Sequence, residues 1–222
     1  MRALAPLRPG GLLLAAAFIA QALLAQAPAL SAKQLAARVD RHYNHLRTLQ
    51  TAFTETYQGM GMERTDSGTL LLEKPGRMKW EYDSPPGKIF LLDGKYAWFY
   101  TPGDAQVERI SARHLNDLRS PLRYLLGHTE LEKEISNLTM TPAPGGCFTL
   151  AGQPKDAQNR IAHVALIVTA RGVITGISIK DTGGALTRFT FTHEQPGAAI
   201  PAGTFHFTPP PGVPVVNGPP PV

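Results

Sequence analysis

Behind Ser31-Ala32-Lys33-Gln34, apolar residues recur at spacings of three and four: Leu35, Val39, Tyr43 and Leu46. The S-x-x-Q start is a capping box, in which the Ser and Gln side chains satisfy backbone donors that a helix start leaves open. One amphipathic helix of about 15 residues is therefore predicted. From about Leu49 the period changes to two. Thr51–Tyr57 is rich in Thr and aromatics, and Thr69–Lys74 is an apolar run that ends at Pro75-Gly76, a pair suited to a tight turn. Arg77–Tyr82 then alternates, with Met78, Trp80 and Tyr82 on one face and Arg77, Lys79 and Glu81 on the other. That is the pattern of a half-solvated strand.

The next segment differs, because both of its faces are apolar. Asp93-Gly94 stands between Ile89–Leu92 and Lys95–Tyr100, a two-residue hairpin signal that predicts Leu92 opposite Lys95, Leu91 opposite Tyr96 and Ile89 opposite Trp98. One face carries Ile89, Leu91, Tyr96, Trp98 and Tyr100, the other Phe90, Leu92, Ala97 and Phe99. Gln106–Ile110 is a further short strand, and Ser120–Gly127 has the Ser cap, early Pro and closing Gly of a short helix. The second half reads as a meander: Glu130–Met140, Cys147–Ala151, Arg160–Thr169, Val173–Lys180 and Leu186–Thr192, with glycine pairs or Arg171-Gly172 between several of them. Connections this short join only antiparallel neighbours. Thr204–Gly212 closes a last strand in polyproline-like chain, and 214–222 is expected to be a flexible Pro/Gly-rich tail.

The start of the chain has another character. Arg2 and Arg8 precede the apolar run Gly11–Leu24, followed by small residues to Ala29. This is the layout of a secretory signal peptide, and the run is short of the ~20 residues that span a bilayer. Cleavage after Ala29 leaves a mature domain over 30–213 ahead of the tail. The single cysteine, Cys147, lies far from that site, so the mature protein is expected to be exported, soluble and neither lipidated nor internally disulfide-bonded.

Composition sharpens the picture. Gly and Pro make 41 of 222 residues, above the usual ~12%, which argues against a helical bundle. Without Arg2 and Arg8 the balance is 20 Lys and Arg against 17 Asp and Glu, or +3. Such a small, scattered excess does not read as a nucleic-acid surface. No G-x-S-x-G, H-E-x-x-H, Walker A or C-x-x-C pattern occurs, and Gly59-Met60-Gly61-Met62-Glu63-Arg64 fails the dinucleotide fingerprint at its third glycine. His42 and His45 lack a third ligand at a sensible spacing, so no metal and no cofactor are expected. The fold class is α+β: about ten strands form a curved antiparallel sheet, with too little helix to cover a full face. An apolar concave side needs an occupant, whether the helices as ordinary core, an apolar ligand or a partner subunit.

Taken in order, several segments resemble the periplasmic outer-membrane lipoprotein carrier family, LolA. They are the signal peptide, the helix leading into Ala52-Phe53-Thr54, the span Gly68–Trp80 with Lys74-Pro75-Gly76, the hairpin Asp93-Gly94-Lys95 with Trp98-Phe99-Tyr100, and Phe205–Val213. The resemblance implies an unclosed antiparallel β-barrel of about 10–11 strands, with helices as a lid over an apolar cavity. It implies a monomeric, non-enzymatic periplasmic chaperone. Such a carrier takes acylated lipoproteins from an inner-membrane ABC-type releasing complex and delivers them to an outer-membrane acceptor. On this reading Met78, Trp80, Tyr82, Ile89, Leu91, Tyr96, Trp98 and Tyr100 line the acyl-chain cavity. The basic residue that gates the lid, usually Arg in the family, is matched here by Lys74, with Arg77 just across the turn as a substitute. A lipid- or lipoprotein-sensing regulator, or a carrier of other lipids, is the alternative on the same fold.

Overall fold

The structure is a computed structural model that describes residues 30–112 and 129–218. The signal peptide expected at 1–29 and the short helix expected at 120–127 lie outside the described residues. The capping box forms: the Gln34 N–H donates to Ser31 Oγ (3.2 Å) and the Ser31 N–H to Gln34 Oε1 (3.0 Å). It opens α1, Ala32–His45, whose stripe of Leu35, Ala36, Val39 and Tyr43 is fully buried.

Six strands follow: β1 Thr48–Gly59, β2 Met62–Glu73, β3 Arg77–Ser84, β4 Ile89–Asp93, β5 Tyr96–Tyr100 and β6 Val107–Ser111. After a one-turn helix, α2 Leu131–Glu134, come β7 Ile135–Ala143, β8 Cys147–Pro154, β9 Ile161–Thr169, β10 Ile174–Asp181 and β11 Leu186–Pro196. Glu130–Met140, expected as one strand, thus begins as helix. Asp40 on α1 is the reason, since its carboxylate accepts from the Thr129 hydroxyl (3.0 Å) and the Leu131 amide (3.2 Å) and holds the start of that turn. Burial raises the Asp40 carboxyl, partly offset by these two hydrogen bonds.

With a twelfth strand, β12 Val215–Asn217, all the strands join one sheet in the order β12-β6-β5-β4-β3-β2-β1-β11-β10-β9-β8-β7. It is unclosed, with β7 and β12 as its edges, and it has twelve strands where ten or eleven are expected. The additional strand is β12, Val215–Asn217, drawn from the expected flexible tail. It lies parallel to β6, and the Arg109 guanidinium donates to Asn217 Oδ1 (2.9 Å). Thr204–Thr208, expected to end a strand, is irregular chain instead. Its Phe207 ring packs on the sheet, 5.8 Å from Trp98 and 6.2 Å from Tyr100.

The hairpin of β4 and β5 has a different register from the expected one. Leu92 pairs with Ala97, Leu91 with Trp98 and Ile89 with Tyr100, so the two-residue loop is Gly94-Lys95. Asp93 sets it: one carboxylate oxygen accepts from the Lys95 (2.7 Å) and Tyr96 (2.6 Å) amides, the other from the Trp98 indole (2.7 Å). Because the slip is two residues, every side chain stays on the face its alternation assigns.

Ring contacts reveal the curvature. Trp80 on β3 and Phe189 on β11 are separated by β2 and β1, about 14 Å in a flat sheet at ~4.8 Å per strand. Their ring centroids are 5.3 Å apart. The sheet therefore curls around α1, whose buried stripe joins Leu49, Leu70, Leu72, Trp80, Leu150, Leu166 and Phe191 in one core.

Contact between α1 and the sheet depends on a glycine in the β9–β10 turn. Gly172 has φ +94°, and a Cβ there would lie 2.5 Å from the carbonyl carbon of Arg38 on the helix. Gly172→Ala is expected to cost about 3 kcal/mol, whereas Gly184→Ala, with φ +90° but open space, is expected to cost about 1 kcal/mol. Urea unfolding of both variants measures the difference, and equal losses would show that α1 is free to retreat.

Candidate functional site

Directly opposed residues in an antiparallel pair share a face. Met78 opposes Leu92 and Trp80 opposes Phe90, while Leu92 opposes Ala97 and Phe90 opposes Phe99. These residues, with Tyr82, are on the inner face, toward α1, and belong to or pack against the core. Lys79 opposes Leu91, Leu91 opposes Trp98, and Glu81 opposes Ile89, which opposes Tyr100. Ile89, Leu91, Tyr96, Trp98 and Tyr100 are consequently on the outer face.

The eight residues expected to line one cavity are thus divided between two surfaces, a correction to the expected lining. Met78, Trp80 and Tyr82 are brought together under the helix, in company with Phe90, Leu92, Ala97 and Phe99. The other five are brought together on the back of the sheet, where Phe207 of the C-terminal segment packs on Trp98 and Tyr100. The Arg109 guanidinium lies 4.5 Å from the Tyr96 ring centre and 5.4 Å from that of Trp98. Alternation fixes parity within a strand, but parity between β3 and β4 depends on how the 84–88 turn is spanned. With both hairpin faces apolar, the pattern offers no second cue.

The inner face is packed shut in this state. Trp80 is only 1% exposed, with Phe53, Phe189 and Phe191 edge-on around it at centroid distances of 4.6–6.2 Å. Anything apolar that binds here has to take room that α1 now closes off. How α1 is held therefore decides what the site can do.

From Arg38 onward the helix is held by polar groups on five different segments. Tyr43 is the node: it is fully buried, its O–H donates to Glu194 Oε2 on β11 (2.8 Å), and its oxygen accepts from the Ile174 amide at the start of β10 (3.0 Å). The Tyr43 carbonyl accepts from Lys74 Nζ, reaching over from the β2–β3 turn. His42 Nε2 is 2.8 Å from the other Glu194 oxygen, and its ring meets Tyr43 edge-on at 4.8 Å. Arg38 donates to the Ala170 carbonyl (2.6 Å), and Asn44 makes two hydrogen bonds with the Thr129 backbone. Burial and then Glu194 push the Tyr43 phenol well above its ordinary pKa, so it remains a donor; burial lowers Lys74.

Of the two cations expected at the lid, the structure brings Lys74 to the helix. Arg77 instead pairs with Glu73 at the surface (2.9 Å). The sequence reading includes Tyr43 only as one of the apolar helix positions and misses Glu194, 151 positions away. A tyrosine at the end of an apolar stripe, with an oxygen that must be satisfied when buried, is the signal that points to such a partner. His42 and His45 do not converge: His45 Nδ1 bonds the Arg41 carbonyl (2.8 Å). Among the described residues no His, Cys, Asp or Glu group is arranged to hold a metal. No described helix is long and apolar enough to cross a membrane.

Tyr43→Phe keeps the ring and removes the node, leaving the Ile174 amide and a Glu194 oxygen without their buried partner. The expected loss is about 2 kcal/mol, read from the urea midpoint, with amide exchange at the end of α1 accelerated while β8 and β9 keep their protection. Uniform acceleration over the whole sheet would show that Tyr43 is a core residue and no latch.

Comparison with known proteins is consistent with this architecture. A sequence of Chromobacterium violaceum described as "Outer-membrane lipoprotein carrier protein" is 33% identical over 206 residues, covering 93% of this chain and 97% of that protein. One of the same description from Edwardsiella ictaluri is 30% identical and covers 77% and 81%. Among solved structures, an uncharacterized conserved protein from Thermus thermophilus superposes with a TM-score of 0.54 at 13% identity, covering 84% of this chain and 99% of that one, a likeness of fold alone. Residues 44–208 match the family described as "Outer membrane lipoprotein carrier protein LolA", and the chain belongs to that family.

Proposed function

We propose that this chain is a periplasmic carrier that takes the acyl chains of lipoproteins between its inner sheet face and α1, and delivers them from the inner to the outer membrane. The observation that carries this reading is the pairing of an apolar inner face with a cover held by a rim of polar contacts. A permanent cover needs only apolar packing. Hydrogen bonds donated to one helix by Lys74 and Ile174, and accepted from it by Glu194 and Ala170, make a closed position that is defined and can be regained after opening.

Energetics supply the need for a carrier. Each exposed CH2 costs about 0.8 kcal/mol, so a multiply acylated protein does not leave a membrane unaided. They also constrain the carrier, since a site that gained the full burial energy of the chains would never release them. When α1 lifts to admit a chain it gives up the burial of Leu35, Val39 and Tyr43 and the latch at Tyr43. That loss subtracts from the chain's affinity and returns when the lid closes empty. Binding and release of this kind require no bond-making step. The proposed partners are acylated lipoproteins, an inner-membrane ABC-type complex that hands them over, and an outer-membrane acceptor. Residues 1–29 serve as the export signal.

On this reading Lys74 is the gating cation. It meets one carbonyl of α1 as a point charge, where the planar fork of Arg would meet several.

The test is transfer from membranes containing the releasing complex. The mature protein is expected to produce a soluble equimolar complex with an acylated lipoprotein, and none with the same protein lacking its acyl chains. Equal capture of the unacylated form would remove the acyl-chain site. Lys74→Leu is expected to leave uptake nearly unchanged and slow delivery to acceptor membranes about tenfold, the effect of ~1.4 kcal/mol of lost closed-state preference. Unchanged delivery would reduce Lys74 to a turn residue.

A further inference from the structure

The inner face changes character along its strands. On β1 the inward positions run Leu49, Thr51, Phe53 and then Glu55; on β2, from the same rim, Leu72, Leu70, Gly68 and then Asp66. Beyond Phe53 the inner face of β1 and β2 is no longer apolar, whereas across β11, β10 and β9 the same row continues as Phe189, Ile177 and Leu166. Glu55 opposes Asp66 directly, and two cations and a phenol converge on the pair.

The cluster is compact. Lys88 Nζ lies 2.6 Å from Asp66 Oδ2, and Arg64 Nε 3.1 Å from the same oxygen. The Tyr82 hydroxyl donates to Glu55 Oε2 (3.1 Å), and Arg64 approaches the other Glu55 oxygen at 3.9 Å. Lys88 also caps the Tyr82 ring, 4.1 Å from its centre. Asp66 is 2% exposed. Burial and then Glu55 raise the Tyr82 phenol well above its ordinary pKa, so it stays a donor. Gly68 makes the arrangement sterically open: a Cβ there would lie 2.0 Å from the Glu81 carbonyl, so only glycine lets β3 close on β2 beside Tyr82.

Such a network is a poor device for stability alone, because burying Asp66 costs desolvation that its partners repay only in part, and apolar residues of similar size would do as well. Its position suggests what it does provide. β1 and β2 run on past it to Gly59 and Met62 at the far rim, where Met60 and Met62 stand exposed on the hairpin tip. With apolar residues at 55 and 66, the inner face of β1–β3 would continue apolar from the α1 rim toward that end. An acyl chain admitted under α1 would then thread through and meet water on the other side.

We propose that Glu55, Asp66, Arg64, Lys88 and Tyr82 form the floor of the acyl-chain space along β1–β3, a stop that limits the chain length the carrier accommodates there. The assignment rests on the acyl-chain reading above and deepens it. Two carboxylates and two cations leave the floor without net charge, so it neither attracts nor repels a head group. It acts on the chain terminus alone, since a methyl group can advance along β1 and β2 only by separating charges and hydrogen bonds that it cannot replace. From Leu49 at the rim to Glu55 the path along β1 is about 20 Å at ~3.3 Å per residue. That distance is the depth over which the chain is in apolar surroundings.

The experiment measures equilibrium binding of synthetic peptides acylated with saturated chains of graded length. For the native protein each added methylene is expected to tighten binding about fourfold until the tip reaches the floor, after which affinity levels off. Glu55→Leu, and the double variant Asp66→Leu/Lys88→Leu, which removes both members of the closest ion pair, are expected to move that plateau to longer chains. Lys79→Leu, an outward neighbour, is expected to leave it in place. An identical plateau in the floor variants would overturn the proposal.

A second measurement needs only the native protein. A chain carrying a photoreactive diazirine at its terminal carbon is expected to label Tyr82, Glu55 or Phe53. Labelling confined to α1, or to Met60 and Met62 at the hairpin tip, would equally overturn the assignment. Failure of every acyl-peptide to bind the native protein would instead refute the acyl-chain reading on which the floor depends.

Discussion

An open sheet that is apolar toward its concave side has to be covered, and in the described part of this molecule α1 is the principal cover. The rest of the structure is arranged around that constraint. Curvature brings β3 and β11 close enough for Trp80 and Phe189 to touch, so a single helix can meet strands from both halves of the sheet. Gly172 removes the Cβ that would keep the helix away. Tyr43 converts the end of an apolar stripe into a node for Glu194, Ile174 and Lys74.

The balance between apolar and polar contacts on this helix bears on function. Leu35, Ala36 and Val39 supply burial, which is non-directional and would be satisfied equally well by acyl chains. The polar contacts of Arg38, His42, Tyr43 and Asn44 are directional and are available only to the helix. On the proposed carrier reading, a lipid can replace the first group of interactions and cannot replace the second, so a closed, empty state competes with a filled one. The charged cluster at the other end applies the same principle in reverse, placing groups a lipid cannot satisfy where the apolar space ends.

The outer face solves a different problem. Ile89, Leu91, Trp98 and Tyr100 would form an exposed apolar patch, the kind that invites association. Phe207 lies over the Trp98 and Tyr100 rings, Arg109 over Tyr96 and Trp98, and β12 closes the strand edge beside them. The polyproline-like C-terminal chain is therefore part of the fold up to the described end at Gly218.

Much of this was legible in local sequence. The capping box and the three-four spacing located α1, the glycine-bearing turns located the second-half meander, and alternation assigned faces within each strand, because each depends on interactions among residues near in the chain. The apolar run of the hairpin correctly announced a sheet with two faces to cover. What local pattern could not settle was which hairpin face joins Met78, Trp80 and Tyr82. Parity across the 84–88 turn depends on how β3 pairs with β4, and that pairing sets Met78 against Leu92 and Trp80 against Phe90. Nor could it show that residues 215–217 return to pair with β6, that Glu194 meets Tyr43 from 151 positions away, or that Glu55 and Asp66 face each other inside the sheet. Sequence by itself determined α1, the strands from β1 to β11 in their order and the need for a covered apolar face. Tertiary structure alone decided which face, which latch and where the apolar space stops, because those are matters of long-range pairing, and a buried polar group finds its partner by proximity in space and not in sequence.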